Sequence, residues 1–343
     1  MAWAKNSFSR TEIDRAGETL RSDVSENDVF KYFDAYDVMN TWRASHSFPL
    51  NTLQMTLRYR AHLVDPDPYV VQRLKRAPSV ISKLQRYDGM LLSRMQDLGG
   101  CRSILSSIKS VYELRSLYTR SRDRHELATE KDYISNPQAS GYRGIHLIYR
   151  YRSDRAEDYN GHRIEVQIRT RIQHAWATAV EIAGVYVRTP LKSSIGPSDW
   201  LDFFRFASSA FSILEDSKRL HTTQSNTEII ETLRSIALRL DARSKLATFA
   251  AAHNYIADTR RKSDSHFILI LNIGEQRTTI EAFGSVLAAS NRYAELEKRH
   301  IDDDLVDVVL VAAESVESAA SAFPNYFIDT SEFLSLIDSL LDN

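Results

Sequence analysis

Asp97 and Glu165 are the acidic side chains of this 343-residue chain whose neighbours could do chemistry with them. Glu165 stands in Arg163-Ile-Glu-Val-Gln-Ile-Arg169. There Ile164, Val166 and Ile168 point one way and Arg163, Glu165, Gln167 and Arg169 the other, because strand side chains alternate. An earlier run, Ile145-His-Leu-Ile-Tyr-Arg150, alternates in the same manner. If the two strands pair through the polar loop between them, one face becomes core. The other carries a carboxylate ringed by cations, amides and the imidazole of His146, a mixture suited to a polyphosphate held through a metal ion. A carboxylate on a central strand must be paired, exposed or bound to metal, since burying it alone costs several kcal/mol.

Asp97 lies in Met95-Gln-Asp-Leu-Gly-Gly100. It is either a turn residue satisfying its own backbone or a magnesium ligand, since hard cations prefer carboxylate oxygen. Together Asp97 and Glu165 could chelate one Mg2+. Upstream, Arg73-Leu-Lys-Arg-Ala-Pro-Ser-Val-Ile-Ser-Lys83 places Arg73 and Lys75 on one strand face, and Ser79 and Lys83 on one helix face. Donors from a strand end and a helix start can surround a triphosphate; a solvated basic face is the plainer alternative. Tyr142, after Ser140-Gly141, can stack on a purine or serve as a core tyrosine. His146 can orient a phosphate or be a satisfied sheet histidine. Clamps of metal and cations drive phosphoryl-type transfers by neutralising developing charge. No Walker loop, kinase signature or HExxH motif is present.

The elements that must hold these groups follow from pattern. Residues 1–65 read as helical, with a turn at Trp42–Leu50 because Pro49 disfavours helix before it. Residues 66–198 read as strand Val70-Val71, a helix from about Ser79 (the expected N-cap) to Gln85, strand Arg102–Leu105, helix 108–120, a polar loop 121–141, the two alternating strands, and helix 171–187. Helices at 199–218 and 226–255 predict a hairpin within 199–257. Its apolar side chains Phe203, Phe206, Phe211 and Leu214 either close the core or form a homo-oligomer interface. Residues 258–343 predict a small separate α+β domain: strands 267–272, 278–283 and 307–312, and helices 288–300, 314–322 and 331–341. The fold class expected is α+β, a mixed sheet flanked by helices.

An apolar fraction of 43% supplies real cores, and a net charge of -1 gives no global field for nucleic acid or membrane. The single cysteine, Cys101, excludes a disulfide framework and reads as a buried thiol. No apolar run approaches the roughly 20 residues of a membrane span. No signal peptide is evident, so a cytoplasmic protein is expected.

Taken in order, Arg73-Leu-Lys75…Ser79…Lys83, Met95-Gln-Asp-Leu-Gly-Gly-Cys-Arg102, Lys131-Asp-Tyr-Ile134, Asn136-Pro…Gly-Tyr-Arg-Gly-Ile-His146 and Ile164-Glu-Val-Gln-Ile-Arg-Thr170 resemble the synthetase domain of the RelA/SpoT alarmone synthetases. The resemblance covers roughly residues 40–185. It implies a nucleotidyltransferase-like fold and transfer of the β,γ-pyrophosphate of ATP to the ribose 3′-hydroxyl of GDP or GTP, releasing AMP. By the same resemblance Arg73, Lys75, Ser79 and Lys83 hold ATP, with Arg73 near the adenine. Asp97 and Glu165 bind magnesium, and Glu165 also acts as general base. Tyr142 stacks on the acceptor base, His146 and Arg102 contact phosphates or the transition state, and Lys131 lies in the loop that reads the acceptor. Gln167 only supports these groups from behind.

Two departures fall on the acceptor side. Thr129 stands where members often carry Arg, and Ser140 where many carry Asn. With no HD-type hydrolase motif in residues 1–65, the chain is expected to synthesise only. The alternative in the same fold is a toxic relative that modifies the 3′-end of tRNA, or adenosine nucleotides, in a toxin–antitoxin or phage-defence unit. An antitoxin or trigger protein would then act at the carboxy-terminal domain. A catalytically dead scaffold is disfavoured by intact Asp97, Tyr142 and Glu165.

Overall fold

A computed structural model describes residues 3–342 except 23–28, 121–123, 188, 190, 252–253, 258–264, 276, 301–302, 304, 314–319, 321–322, 324–325 and 327–328. The expected helix at 314–322 lies almost wholly outside the described residues. The fold is α+β. Helices α1 (Arg10–Arg21), α2 (Val29–Ala44) and α3 (Ser47–Val64) lead into β1 (Tyr69–Leu74), α4 (Ala77–Arg86), β2 (Gly99–Leu105), α5 (Ile108–Thr119), β3 (Glu126–Asp132), β4 (Ile145–Arg150) and β5 (Arg163–Thr170). Then come α6 (Arg171–Tyr186), α7 (Ser198–Leu214), α8 (Asn226–Leu240), α9 (Ala242–Ala251) and β6 (Asn254–Ala257). The chain ends with β7 (His266–Asn272), β8 (Arg277–Phe283), α10 (Val286–Arg299), β9 (Val306–Ala312) and α11 (Ser331–Leu341).

Among the described residues, nine strands form one mixed sheet in the order β3-β4-β5-β2-β1-β9-β7-β8-β6. β5 pairs antiparallel with β4 and parallel with β2. The alternation read in the sequence therefore produces two faces. Ile145, Leu147, Tyr149, Ile164, Val166 and Ile168 enter one core together with Val111 and Leu114 of α5 and Leu53 and Leu57 of α3. Burying each such side chain contributes about 1.5–3 kcal/mol. Glu165, Gln167 and Arg169 are left on the opposite face. The chain turns from β5 straight into α6, because Thr170 caps the helix and Gln173 reaches back to it, worth about 1 kcal/mol.

Several local expectations are corrected. The loop 121–141 contains edge strand β3, whose polar sequence Glu-Leu-Ala-Thr-Glu-Lys-Asp carries little strand signal. Ser79 is not an N-cap: α4 starts at Ala77, Arg76 stands at the cap, and Pro78 sits in the first turn, where a missing N–H costs nothing. Pro49 likewise lies within the first turn of α3, which shrinks the Trp42–Leu50 turn to two residues. The helix expected over 226–255 breaks at Asp241, which adopts left-handed φ of 51°, and its end is strand β6.

The hairpin's aromatic face is used within the chain. Phe203 and Phe211 are buried with Phe333 and Ile337 of α11, Phe206 is half-buried, and Leu214 is exposed. The boundary near residue 258 is crossed by the sheet, since β9 pairs with β1 at Gln72 and Arg73. A hydrogen-bond ladder leaves no mark in composition. Cys101 is buried, and burial pushes its thiol up. Among the described residues, no helix is long and apolar enough to cross a membrane.

A histidine pair beneath the sheet makes this fold acid-sensitive. His46 and His162 pack against each other and Trp42, and His162 also meets Ser45 Oγ at 2.8 Å. Burial holds His46 at about 3 and His162 at about 4. Both are therefore neutral when folded, whereas the unfolded chain takes up protons below about 6.5. Their stabilisation is complete above that value and is lost as pH falls toward 4. Between pH 7 and 5 the urea midpoint should drop by the equivalent of about 2 kcal/mol per imidazole. A midpoint unchanged over that interval would refute the assignment.

Candidate active site

Strand register gathers the site. One row across the sheet runs Arg73 (β1), Gly100 (β2), Glu165 (β5), Ile148 (β4) and Thr129 (β3). The next runs Val71, Arg102, Gln167, His146 and Lys131. Adjacent strands lie about 4.8 Å apart, and opposed residues share a face. Residues far apart in the chain thus stand side by side. Gly100 puts no side chain beside Glu165; a Cβ there would sit in ordinary van der Waals contact, 3.9 Å from the carboxylate.

Of these rows, Arg73, Gly100, Arg102, His146, Glu165 and Gln167 line one cavity of about 890 Å³. Asp97 accepts hydrogen bonds from Lys75 Nζ and Lys83 Nζ, each at 2.9 Å. Lys75 is brought there because its N–H donates to Leu98 O at 2.8 Å, and Lys83 because it points from α4 into the cavity. Burial would raise the Asp97 carboxyl, and so does Glu165, but the two ammonium groups prevail and hold it below the usual range.

Glu165 is held from two sides. His146 Nδ1 lies 2.8 Å from Oε1, and Gln167 Nε2 donates to Oε2 at 2.6 Å. Burial opposes its charge, yet the His146 contact, Gln167 and Arg169 outweigh it and keep the carboxyl at about 2. The other ring nitrogen of His146 meets Tyr142 OH at 2.6 Å. Gln167 also accepts from Arg102 Nε at 3.2 Å and Arg169 at 2.9 Å. The result is a connected polar network, Tyr142–His146–Glu165–Gln167–Arg102/Arg169, in which a carboxylate stays ionised against burial.

The loop bearing Tyr142 needs two glycines. Gly141 has φ of 94° and a Cβ there would approach Trp176 at 3.1 Å. Gly144 has φ of 151°, and its Cβ would meet Arg169 at 3.1 Å. Between them Arg143 is buried in an ion pair with Glu215 at 2.7 Å, tying the loop to the end of α7.

Residues 72–188 match the RelA_SpoT family, described as the region found in RelA / SpoT proteins. The chain carries a RelA/SpoT-type synthetase domain. It is similar to the GTP pyrophosphokinase YwaC of Bacillus subtilis (strain 168), with 26% identity over 158 residues, 45% of this chain and 71% of that protein. A second GTP pyrophosphokinase of the same organism, YjbM, is 28% identical over 115 residues, 33% of this chain and 54% of that protein. Among solved structures, the small alarmone synthetase 1 from Bacillus subtilis bound to its product pppGpp matches with a TM-score of 0.44 and 24% identity. The match covers 50% of this chain and 89% of that one.

Within the RelA/SpoT domain, Arg73, Lys75, Ser79, Lys83, Asp97, Arg102, Tyr142, His146, Glu165 and Gln167 all line the cavity. Lys131 is exposed on edge strand β3, in register with His146. Tyr142 is not an open stacking surface here. It is 7% exposed, and Arg169 lies over its ring at 4.9 Å. Gln167 bonds Glu165, Arg102 and Arg169 at once.

Sequence reasoning missed several lining residues. Glu181 and Lys192 pair at 2.5 Å on the cavity wall; an isolated acid in the apolar run Ala175–Ile182 was their only signal. Leu271, Asp307 and Phe323, from beyond residue 258, also line it. Phe323 packs 5.8 Å from the guanidinium carbons of both Arg73 and Arg102. Asp307 pairs with Arg76. Glu297 of α10 pairs with buried Arg43 and accepts from the Ala77 N–H at 3.2 Å, so it caps α4.

The donor set fits a hard divalent cation. Among the described residues no cluster of three or more His, Cys, Asp or Glu side chains could enclose a metal. Two carboxylates in one cavity, Glu165 close enough to disfavour the charge on Asp97, are instead what magnesium needs when substrate phosphates supply the remaining ligands.

Proposed function

We propose that this protein is a nucleotide 3′-pyrophosphokinase, moving the β,γ-pyrophosphate of ATP to the 3′-hydroxyl of GDP or GTP and releasing AMP. The observation that carries this reading is one cavity holding Asp97 and Glu165 together with Arg73, Lys75 and Lys83. Magnesium held by Asp97 and Glu165 would supply charge neutralisation at the transferred phosphates. Lys75 and Lys83, which rest on Asp97, would exchange that partner for the triphosphate. Glu165, oriented by His146 and Gln167, would face the attacking hydroxyl. Arg102 and Arg169 would meet developing negative charge.

The test is incubation of the full chain with radiolabelled ATP, magnesium and GDP, GTP, ATP or tRNA, followed by chromatography of the products. Label on GDP or GTP is expected. Label on tRNA alone would replace the alarmone reading with the toxin one.

A second reading, control by residues 258–343, is favoured by Phe323. Its ring covers Arg73, expected near the adenine, and Arg102, expected near the transferred phosphates. The described state thus has the character of a self-closed enzyme, released when an antitoxin-like or trigger partner displaces this segment. Because β9 pairs with β1, deleting the segment would also bare a sheet edge. Point substitutions test the control more cleanly.

A further inference from the structure

The charged face extends past the cavity. The register row next to Glu165 toward the start of β5 pairs Arg150 with Arg163. Arg163 donates to the carbonyl of Arg94 at 2.7 Å, which draws the turn Leu92–Arg94 against the strand. The guanidinium of Arg10, from the first turn of α1, lies 3.5 Å from where a Cβ on Gly161 would stand. Four arginines from four segments therefore crowd one end of the active face. Glu126 is shared between Arg150 and Arg152. Asp14, the nearby acid of α1, is taken by Ser93. Among the described residues no carboxylate forms an ion pair with Arg10, Arg94 or Arg163. Arg10 and Arg94 are exposed.

With Glu126 the one carboxylate paired into the cluster, through Arg150, the excess of like charge raises the local potential and attracts anions. Burial does not require this gathering, because Arg10 and Arg94 are exposed. The position says which anion. Two residues along a strand is about 7 Å, so the cluster begins one sugar's length from Glu165. We infer that Arg10, Arg94, Arg150 and Arg163 form a subsite for the phosphates on the 5′ side of the acceptor nucleotide, whose 3′-hydroxyl stands at Glu165. This rests on the pyrophosphate-transfer reading. The ligand class is a phosphate chain attached to a nucleoside, either a free 5′-diphosphate or the phosphodiester backbone of an RNA ending in a free 3′-hydroxyl. The subsite opens to solvent, so it can accept both.

The experiment uses the full chain, the double variant Arg10→Glu/Arg94→Glu, and Lys109→Glu as a control. Lys109 lies in the first turn of α5, which packs on the opposite face of the sheet. Binding of GDP is read by calorimetry, and binding of a fluorescein-labelled single-stranded oligoribonucleotide by anisotropy across a salt series. The double variant should weaken at least one ligand roughly tenfold. For RNA the slope of log affinity against log salt should fall by about 0.7 for each phosphate that is no longer neutralised. Weakening of both ligands assigns the cluster to the terminal 5′-phosphates; weakening of RNA alone assigns it to a phosphodiester chain. Affinities and slopes equal to the parent's for both ligands, or no binding of either by the parent, overturn the subsite. A parent that binds these ligands but transfers pyrophosphate to neither leaves the subsite standing and sinks the transfer reading instead.

Discussion

Glu165→Gln will reduce pyrophosphate transfer by roughly 10²–10⁴-fold, the range that a positioned proton acceptor contributes, with a further loss from a weakened metal site. The substitution keeps size and shape, and its oxygen can still face His146 Nδ1. Its new amide nitrogen meets Gln167 Nε2, which donates to Oε2 in the parent, so two donors are set against each other. That local conflict costs about 1–3 kcal/mol, too little to unfold the sheet while Ile164, Val166 and Ile168 remain buried. The check is kcat from AMP release beside a thermal unfolding curve. Retained turnover in a folded variant would remove Glu165 from the chemistry.

Phe323→Ala should act in the opposite direction. Two cation–π contacts at about 0.5–1 kcal/mol each hold the ring on Arg73 and Arg102. Removing them uncovers both guanidinium groups, Arg102 keeping its bond to Gln167, and apparent ATP affinity should rise roughly tenfold. Because Phe323 is also buried among Val309, Val311 and Tyr326, the change opens a cavity that itself loosens the segment. Asp307→Asn provides the companion variant. It cuts the tie to Arg76 near the surface and should shift ATP affinity the same way by less. Calorimetric ATP titration decides the matter. Unchanged affinity in both variants, with circular dichroism intact, would reduce residues 258–343 to an assembly role.

What was legible in the sequence was local. Period-two alternation assigned Ile145, Leu147 and Tyr149, and Ile164, Val166 and Ile168, to a core face, and left His146, Glu165 and Gln167 on the other. That inference needs only backbone geometry and the apolar preference for burial. The helices expected at 108–120 and 171–187 followed from their own helical patterns, whereas the mixed sheet came with the family resemblance. The motif residues became legible as a set only through their ordered resemblance to the RelA/SpoT synthetase domain, since each alone kept a structural alternative.

Tertiary structure alone decided the rest, for one physical reason: hydrogen-bond ladders and ion pairs between distant segments leave no periodic trace. Register set Arg102, Gln167, His146 and Lys131 in one row, which no spacing along the chain discloses. The start of α4 is capped by Glu297, 220 residues away, so no local N-cap was there to read. β3 is an edge strand whose polar residues meet solvent, and an edge needs no apolar alternation. The docking of β9 on β1, and of Phe323 on the arginines of the cavity, joins the sheet that carries the site to the α+β segment that follows it.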